Sequence, residues 1–262
     1  MKMMRNIILV AVSFAVIIIV FQGLAVASTA LNIKFGTKSA TFDSLGYLHI
    51  FGEVENIGSQ TYEYVKITGT FYDGGHVVIA SEYTFTKLDQ VILGQKSPFD
   101  LFIMNEATSA EVASYSLSLT ADITNAKPPG LQILSHSSSI DELGYLEIVG
   151  EVRNVRIGSA SYVEVIGTFY DQNGTVIGCD YTFTDPSDLS GGQTAPFKMT
   201  FMYESLSTDI STYALVTQSV EYSMIPEFST PTLLAVLITA TLAAAIYRRK
   251  HANFHTVITN SS

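Results

Sequence analysis

The stretch LGYLHIFGEVEN (Leu45–Asn56) returns almost unchanged as LGYLEIVGEVRN (Leu143–Asn154), at an offset of 98 residues. Within it Leu48, Ile50, Gly52 and Val54 alternate with His49, Phe51, Glu53 and Glu55, the period of two of a strand with one face buried. The second copy keeps the first set as Leu146, Ile148, Gly150 and Val152, and varies the other to Glu147, Val149, Glu151 and Arg153. The face that stays the same is predicted to be the core, and the varied face is predicted to be outward and solvated.

The same offset holds, without a gap, along the rest of the copy. YVKITGTFYD (Tyr64–Asp73) meets YVEVIGTFYD (Tyr162–Asp171), EYTFT (Glu82–Thr86) meets DYTFT (Asp180–Thr184), and Gly94-Gln95 with Pro98-Phe99 meets Gly192-Gln193 with Pro196-Phe197. A period near a hundred residues is too long for a solenoid unit, so it predicts a small domain encoded twice. Residues 29–125 form the first repeat, 131–224 the second, and 126–130 (AKPPG) a linker stiffened by its paired prolines. Val65, Ile67, Gly69 and Phe71 are read as inward, with Val163, Val165, Gly167 and Phe169 as counterparts. Thr70, Tyr72, Thr168 and Tyr170 are read as outward. Inward glycines imply that a bulky ring or a neighbouring backbone lies close to them. Asp73-Gly74-Gly75 and Asp171-Gln172-Asn173-Gly174 read as hairpin turns. About seven short strands per copy, with almost no helical periodicity outside Glu106–Ala113, predict an all-β chain of two tandem immunoglobulin-like antiparallel sandwiches.

The ends carry different signals. Lys2 and Arg5 precede an apolar run from Ile7 to Phe21 and then Ala25-Val26-Ala27-Ser28, the pattern of a signal peptide over residues 1–27. Thr230–Tyr247 is apolar, uncharged and long enough to span a bilayer as a transmembrane helix. Arg248, Arg249 and Lys250 place the tail, 248–262, on the cytoplasmic side and the repeats outside.

Between Ser28 and Pro226 stand nine Lys plus Arg against twenty-three Asp plus Glu, a net charge of −14. This excludes a nucleic-acid partner, which needs a basic surface. The single cysteine, Cys179, allows no internal disulfide. It is read as inward, in phase with Tyr181 and Phe183, and buried. No catalytic residue, metal ligand or cofactor is nominated. Glu53 and Glu151 recur as solvated strand charges, and His49, His76 and His136 have no histidine counterparts and are read as surface residues. Asp73 and Asp171 sit in turns that carry oxygen donors, but the full calcium-loop pattern is missing, and Asp, Asn and Gly are what such turns require in any case. Asn173-Gly174-Thr175 is an N-glycosylation sequence at a turn, with Asn173 the acceptor. Tyr72, Tyr170, Glu53 and Glu151 are the candidate contact surface, since rings with a polar tip suit protein and carbohydrate contacts.

Two resemblances follow from these residues. G-E-V-x-N, a turn, V-x-V-x-G-T-F-Y-D, an aromatic strand and G-Q-x-x-P-F together resemble the FxLYD domain, a small β-sandwich of bacterial and archaeal envelope proteins. Gly69 and Gly167 stand where that family's naming motif has Phe, and Phe71 and Phe169 where it has Leu. Pro226-Glu227-Phe228, followed by an apolar run and a basic cluster, resembles the PEF-type C-terminal sorting signals of archaeal surface proteins, which implies transfer to a lipid anchor. Here twelve residues follow the cluster, where such signals usually stop.

The sequence therefore predicts a non-enzymatic envelope protein at the cell membrane. Its modules would serve a structural role or bind other envelope proteins or glycans. The alternative is an extracytoplasmic component that captures a sugar, peptide or cation for transport or sensing.

Overall fold

The computed structural model describes residues 31–225. Within them the chain is all-β apart from two short helices. The first repeat runs β1 (Ile33–Phe42), β2 (Leu48–Asn56), β3 (Thr61–Tyr72), β4 (Val78–Phe85), β5 (Gln90–Val91), β6 (Lys96–Ile103), α1 (Glu106–Glu111) and β7 (Ser114–Thr124). The second runs β8 (Pro129–Ile140), β9 (Leu146–Asn154), β10 (Glu164–Tyr170), β11 (Val176–Phe183), β12 (Thr194–Phe201), α2 (Glu204–Ser207), β13 (Thr212–Gln218) and β14 (Ser223–Met224). Signal, sorting and membrane-span readings fall on residues outside those described. Among the described residues no helix is long and apolar enough to cross a membrane.

In the first repeat a sheet β1-β2-β6 faces a sheet in which β3 pairs with β4, β5 and β7. Leu48, Ile50 and Val54 from one and Val65, Ile67 and Phe71 from the other meet in a common core with Phe99, Leu101 and Ile103. The second repeat builds the same arrangement from β8-β9-β12 and β11-β10-β13, and its core is a separate cluster around Ile148, Val152, Val165, Phe169, Phe197 and Phe201. The two-residue strand β14 pairs with β13 on one side and, in parallel, with β8 on the other, so the two sheets run together at that edge.

Local chemistry accounts for the elements. Four hairpin turns share one device, an Asp whose Oδ1 accepts two backbone N–H groups. Asp43 holds Leu45 and Tyr47, Asp73 holds Gly75 and Val77, Asp141 holds Leu143 and Tyr145, and Asp171 holds Asn173 and Thr175, all at 2.8–2.9 Å. Two of the inward glycines, Gly52 and Gly150, make room for a ring across the sheet, while Gly69 and Gly167 lie nearest the side chains of Leu101 and Met199. A Cβ on Gly52 would lie 2.5 Å from Cζ of Phe99, its direct partner across β2 and β6, and one on Gly150 would lie 2.6 Å from the ring of Phe197. Helix α1 is capped by the side chain of Asn105, which accepts from the N–H of Thr108 at 2.8 Å. Within it, buried Ser109 Oγ accepts from Leu48 N and donates to the carbonyl of Ile103; Ser207 does the same job in the second repeat for Leu146 N and the carbonyl of Tyr203.

Candidate functional site at the joint between the repeats

Nearly all of β2 is buried on both faces, whereas its counterpart β9 is buried mainly on one. The difference comes from the second repeat: its β11 packs across β1, β2 and β6 of the first, and Tyr170 and Tyr203 extend the cover over Glu53, His49 and Phe51. Phe51, Val176 and Cys179 form a third apolar cluster at this joint, with Tyr170, Tyr203 and Leu206 around it. Three readings from sequence are corrected here. Glu53 is 2% exposed rather than solvated, His49 is 6% exposed rather than on the surface, and Cys179 points into the joint and not into the core of its own repeat. Cys179 is paired across the sheet with Thr168, on the outer side of β11, while its neighbour Gly178 faces Phe201 in the core. Packing between repeats thus supplies the burial that phase within one strand had suggested.

Polar groups line the joint in four sets. In the first, Glu53 accepts from Lys96 Nζ at 2.6 Å and from the hydroxyl of Tyr170 at 2.8 Å, so a buried carboxylate has one partner from each repeat. Burial, helped by that carboxylate, pushes the Tyr170 phenol well up from its ordinary range. Gly36 makes the space, since a Cβ there would lie 2.6 Å from Cγ of Glu53. In the second, His49 Nδ1 lies 2.8 Å from Asp100 Oδ1 and its Nε2 3.6 Å from Asp43, and its ring stacks on Phe51 and Phe102, with Tyr203 edge-on. Burial opposes the charged imidazolium, but the hydrogen bond and charge of Asp100 and the charge of Asp43 outweigh it, and its pKa is raised. In the third, Gln218 accepts from Asp89 N at 2.9 Å and donates to the carbonyl of Lys87 and to Glu164 Oε2. In the fourth, Thr37, in the bulge of β1, donates to the carbonyl of Gly174 and accepts from Val176 N.

The linker is tied down too. Lys127 Nζ donates to Asp89 and to the carbonyl of Ser219, and its N–H donates to Gln90 Oε1. Pro129 and Gly130 belong to β8. Among the described residues, every buried side-chain nitrogen and oxygen has a hydrogen-bond partner.

Of the four contact-surface residues, Tyr170 and Glu53 touch each other across the joint. Tyr72 instead lies 3.3 Å from Ser116 Oγ, and Glu151 is exposed on β9. Asn173 is exposed at the tip of the β10–β11 turn. Pro226, Glu227 and Phe228 lie outside the described residues. His76 is an exposed turn residue with φ of 61°, and exposed His136 lies 2.8 Å from the hydroxyl of Tyr213. The carboxylates of Asp73 and Asp171 are engaged with turn amides, and for Asp171 the bond from Thr175 N, with that from Asn173, lowers the pKa. Sequence reasoning did not single out Tyr64 and Tyr162. These exposed residues hold φ of 48° and 53° at equivalent positions, a conformation costly for a non-glycine residue.

A cavity of about 280 Å³ opens at the joint, lined by Ile92, Leu93 and Lys96 of the first repeat and Thr168, Tyr170 and Val216 of the second. Among the described residues no group of three or more His, Cys, Asp or Glu is placed to hold a metal ion.

No protein-family model matches the chain, and no curated protein sequence does. Among solved structures it is similar to a red sea bream transglutaminase at 9% identity and a TM-score of 0.26, over 73% of this chain and 30% of that one. It is similar also to an exo-chitosanase of Amycolatopsis orientalis (10% identity, TM-score 0.26, 71% and 26%) and to a GH2 β-galacturonidase from Eisenbergiella tayi (11%, 0.20, 66% and 33%). The chain spans about a third or less of each of these proteins, and likenesses this distant carry no functional argument.

Proposed function

We propose that the protein is a non-enzymatic component of the cell envelope, anchored by the segment 230–247 or by a lipid at the PEF-like site. In this reading two immunoglobulin-like FxLYD-type modules stand outside the membrane and act structurally or by binding other surface proteins or glycans. One observation carries the reading. The most concentrated polar and aromatic chemistry, Glu53 with Lys96 and Tyr170, and His49 with Asp43, Asp100 and Tyr203, is engaged in fastening one repeat to the other. Such a joint turns two modules on a linker into one stiff unit, which suits a spacer or a display platform. The N-terminal signal pattern and the basic cluster after Tyr247 support export and orientation. The test is affinity capture from solubilised envelopes together with mass analysis of the mature chain. Loss of residues 1–27 and retention of a surface component are expected; an intact N-terminus facing the cytoplasm would refute export, and capture of no surface component would refute the binding role.

The cavity at the joint favours a second reading, capture of a small ligand between the repeats by a transport or sensing component. Its apolar lining beside Tyr170 and Lys96 is the arrangement of a small-molecule pocket. Thermal melts with calcium and a sugar panel test it, and the absence of any shift would remove it.

A further inference from the structure

The joint uses different faces of the two repeats. The first contributes the outer face of β1-β2-β6, and the second contributes β10 and β11, on its other sheet. Each repeat is left with the face that the other used. The offset of 98 says what stands there: Glu151 is the counterpart of Glu53, Tyr72 of Tyr170, Val78 of Val176, Val149 of Phe51 and Ser135 of Thr37. Both residues of the buried hydrogen bond are therefore present again. Glu151 lies on the open face of the second repeat and Tyr72 on the open face of the first. The apolar pair is present too, and exposed: Val149 is 44% and Val78 55% accessible. Leu134 stands where Gly36 leaves room for Glu53, so Glu151 reaches Tyr72 in a different rotamer from that of Glu53.

We propose that a second copy of this chain covers these faces, the Glu151 face of one molecule docking on the Tyr72 face of the next and repeating between chains the joint seen within the chain. The contact is heterologous, so it passes head to tail from chain to chain, into a closed ring or an open end-to-end array. Because the two faces belong to opposite sheets of each sandwich, one repeat can hold a neighbour on both sides. The contact between chains is the weaker one. Val149 replaces Phe51, Asn105 replaces Tyr203, Thr108 replaces Leu206 and Ser81 replaces Cys179, so less apolar surface is buried and assembly is reversible. This rests on the reading of the protein as an interaction module and names its partner.

Single-cysteine variants Val78→Cys and Val149→Cys, at exposed positions, test the idea in the full-length chain with a short bismaleimide cross-linker. Cys179 is buried, and the unmodified chain serves as control. The equimolar mixture is expected to yield a cross-linked dimer, the double variant a ladder, and neither single variant more than the control. Tyr72→Phe in the mixture is expected to lower dimer yield about tenfold at sub-saturating concentration, the effect of losing one hydrogen bond to a carboxylate. Self-linking of either single variant as efficient as in the mixture would show a symmetric contact and overturn the proposal, as would a mixture with no dimer. Capture of a different envelope protein without a ladder would overturn it while leaving the interaction role standing. A ladder from a chain found in the cytoplasm would do the reverse.

Discussion

Tyr170→Phe removes one oxygen and isolates the central polar bond of the joint. In the native chain the Tyr170 hydroxyl donates at 2.8 Å to Oε2 of Glu53, a carboxylate that is 2% exposed and whose other oxygen receives Lys96. A hydrogen bond to a charged group contributes about 1.5–3 kcal/mol, and water has little access to replace this one, so a loss of about 2 kcal/mol is expected. The chain provides its own control. Tyr72→Phe is the same change 98 residues earlier, where the hydroxyl meets only Ser116 at an exposed site 3.3 Å away, and it should cost under about 0.5 kcal/mol. The protein has no tryptophan, so urea unfolding of the full-length chain in mild detergent is best followed by far-UV circular dichroism. With a slope of about 2 kcal/mol per molar, the midpoint should fall by about 1 M for Tyr170→Phe and by no more than about 0.25 M for Tyr72→Phe, slopes unchanged. Equal shifts for the two variants would refute the argument that burial at the joint is what separates these residues. A double-mutant cycle with Glu53→Gln should return a coupling of about 1–2 kcal/mol, and zero coupling would do the same damage.

Three further outcomes follow from the geometry. The pKa of His49 is raised above the ordinary 6.5 in the folded chain, so its protonation contributes stability that is complete below about pH 6.5 and lost as pH rises through the folded value. Thermal midpoints should fall across that window in the native chain, and His49→Gln should flatten the profile; an unchanged slope would contradict it. Gly52→Ala places a methyl 2.5 Å from Cζ of Phe99 and should cost about 1–3 kcal/mol, with Phe99→Leu in the same chain restoring part of the loss in denaturant titrations. Burial pushes the Cys179 thiol up, and Phe51 is packed against it. Alkylation should therefore be slow in the native chain and faster after Phe51→Ala, and fast labelling of the native chain would place the thiol outside the joint.

Much of the fold was legible because it is written twice. Leu48, Ile50, Val54 and Phe71 are buried where alternation put them, and Gly52 and Gly150 meet Phe99 and Phe197 as their lack of a side chain implied. The turns were legible for the same reason, since Asp at the first position satisfies backbone amides that each hairpin would otherwise leave open. The joint was not. A strand period assigns residues to two faces and says nothing about what covers the second one. Glu53 therefore read as a solvated charge and His49 as a surface histidine. Cys179 read as core because Tyr181 and Phe183 share its phase, yet those two rings are 47% and 44% exposed. Their side of β11 leaves the joint toward solvent at that end.

The missed signal lay in the places where the two copies disagree. On the face of the first repeat that enters the joint, His49, Phe51, Lys96, Asp100 and Phe102 stand where the second repeat has Glu147, Val149, Thr194, Lys198 and Thr200. On the partner face, Cys179, Tyr203 and Leu206 stand where the first repeat has Ser81, Asn105 and Thr108. In each case the copy that enters the joint carries the larger, more aromatic or more strongly paired residue. Its counterpart is small, or charged and paired in the open, as Glu147 is with Lys198. Identical modules would offer identical faces to every neighbour and could not distinguish the joint within a chain from a contact between chains. These substitutions break that equivalence. They make the internal joint the strongest of the possible pairings, while Tyr72 and Glu151, left unchanged in kind, keep a weaker version of the same contact available at both ends.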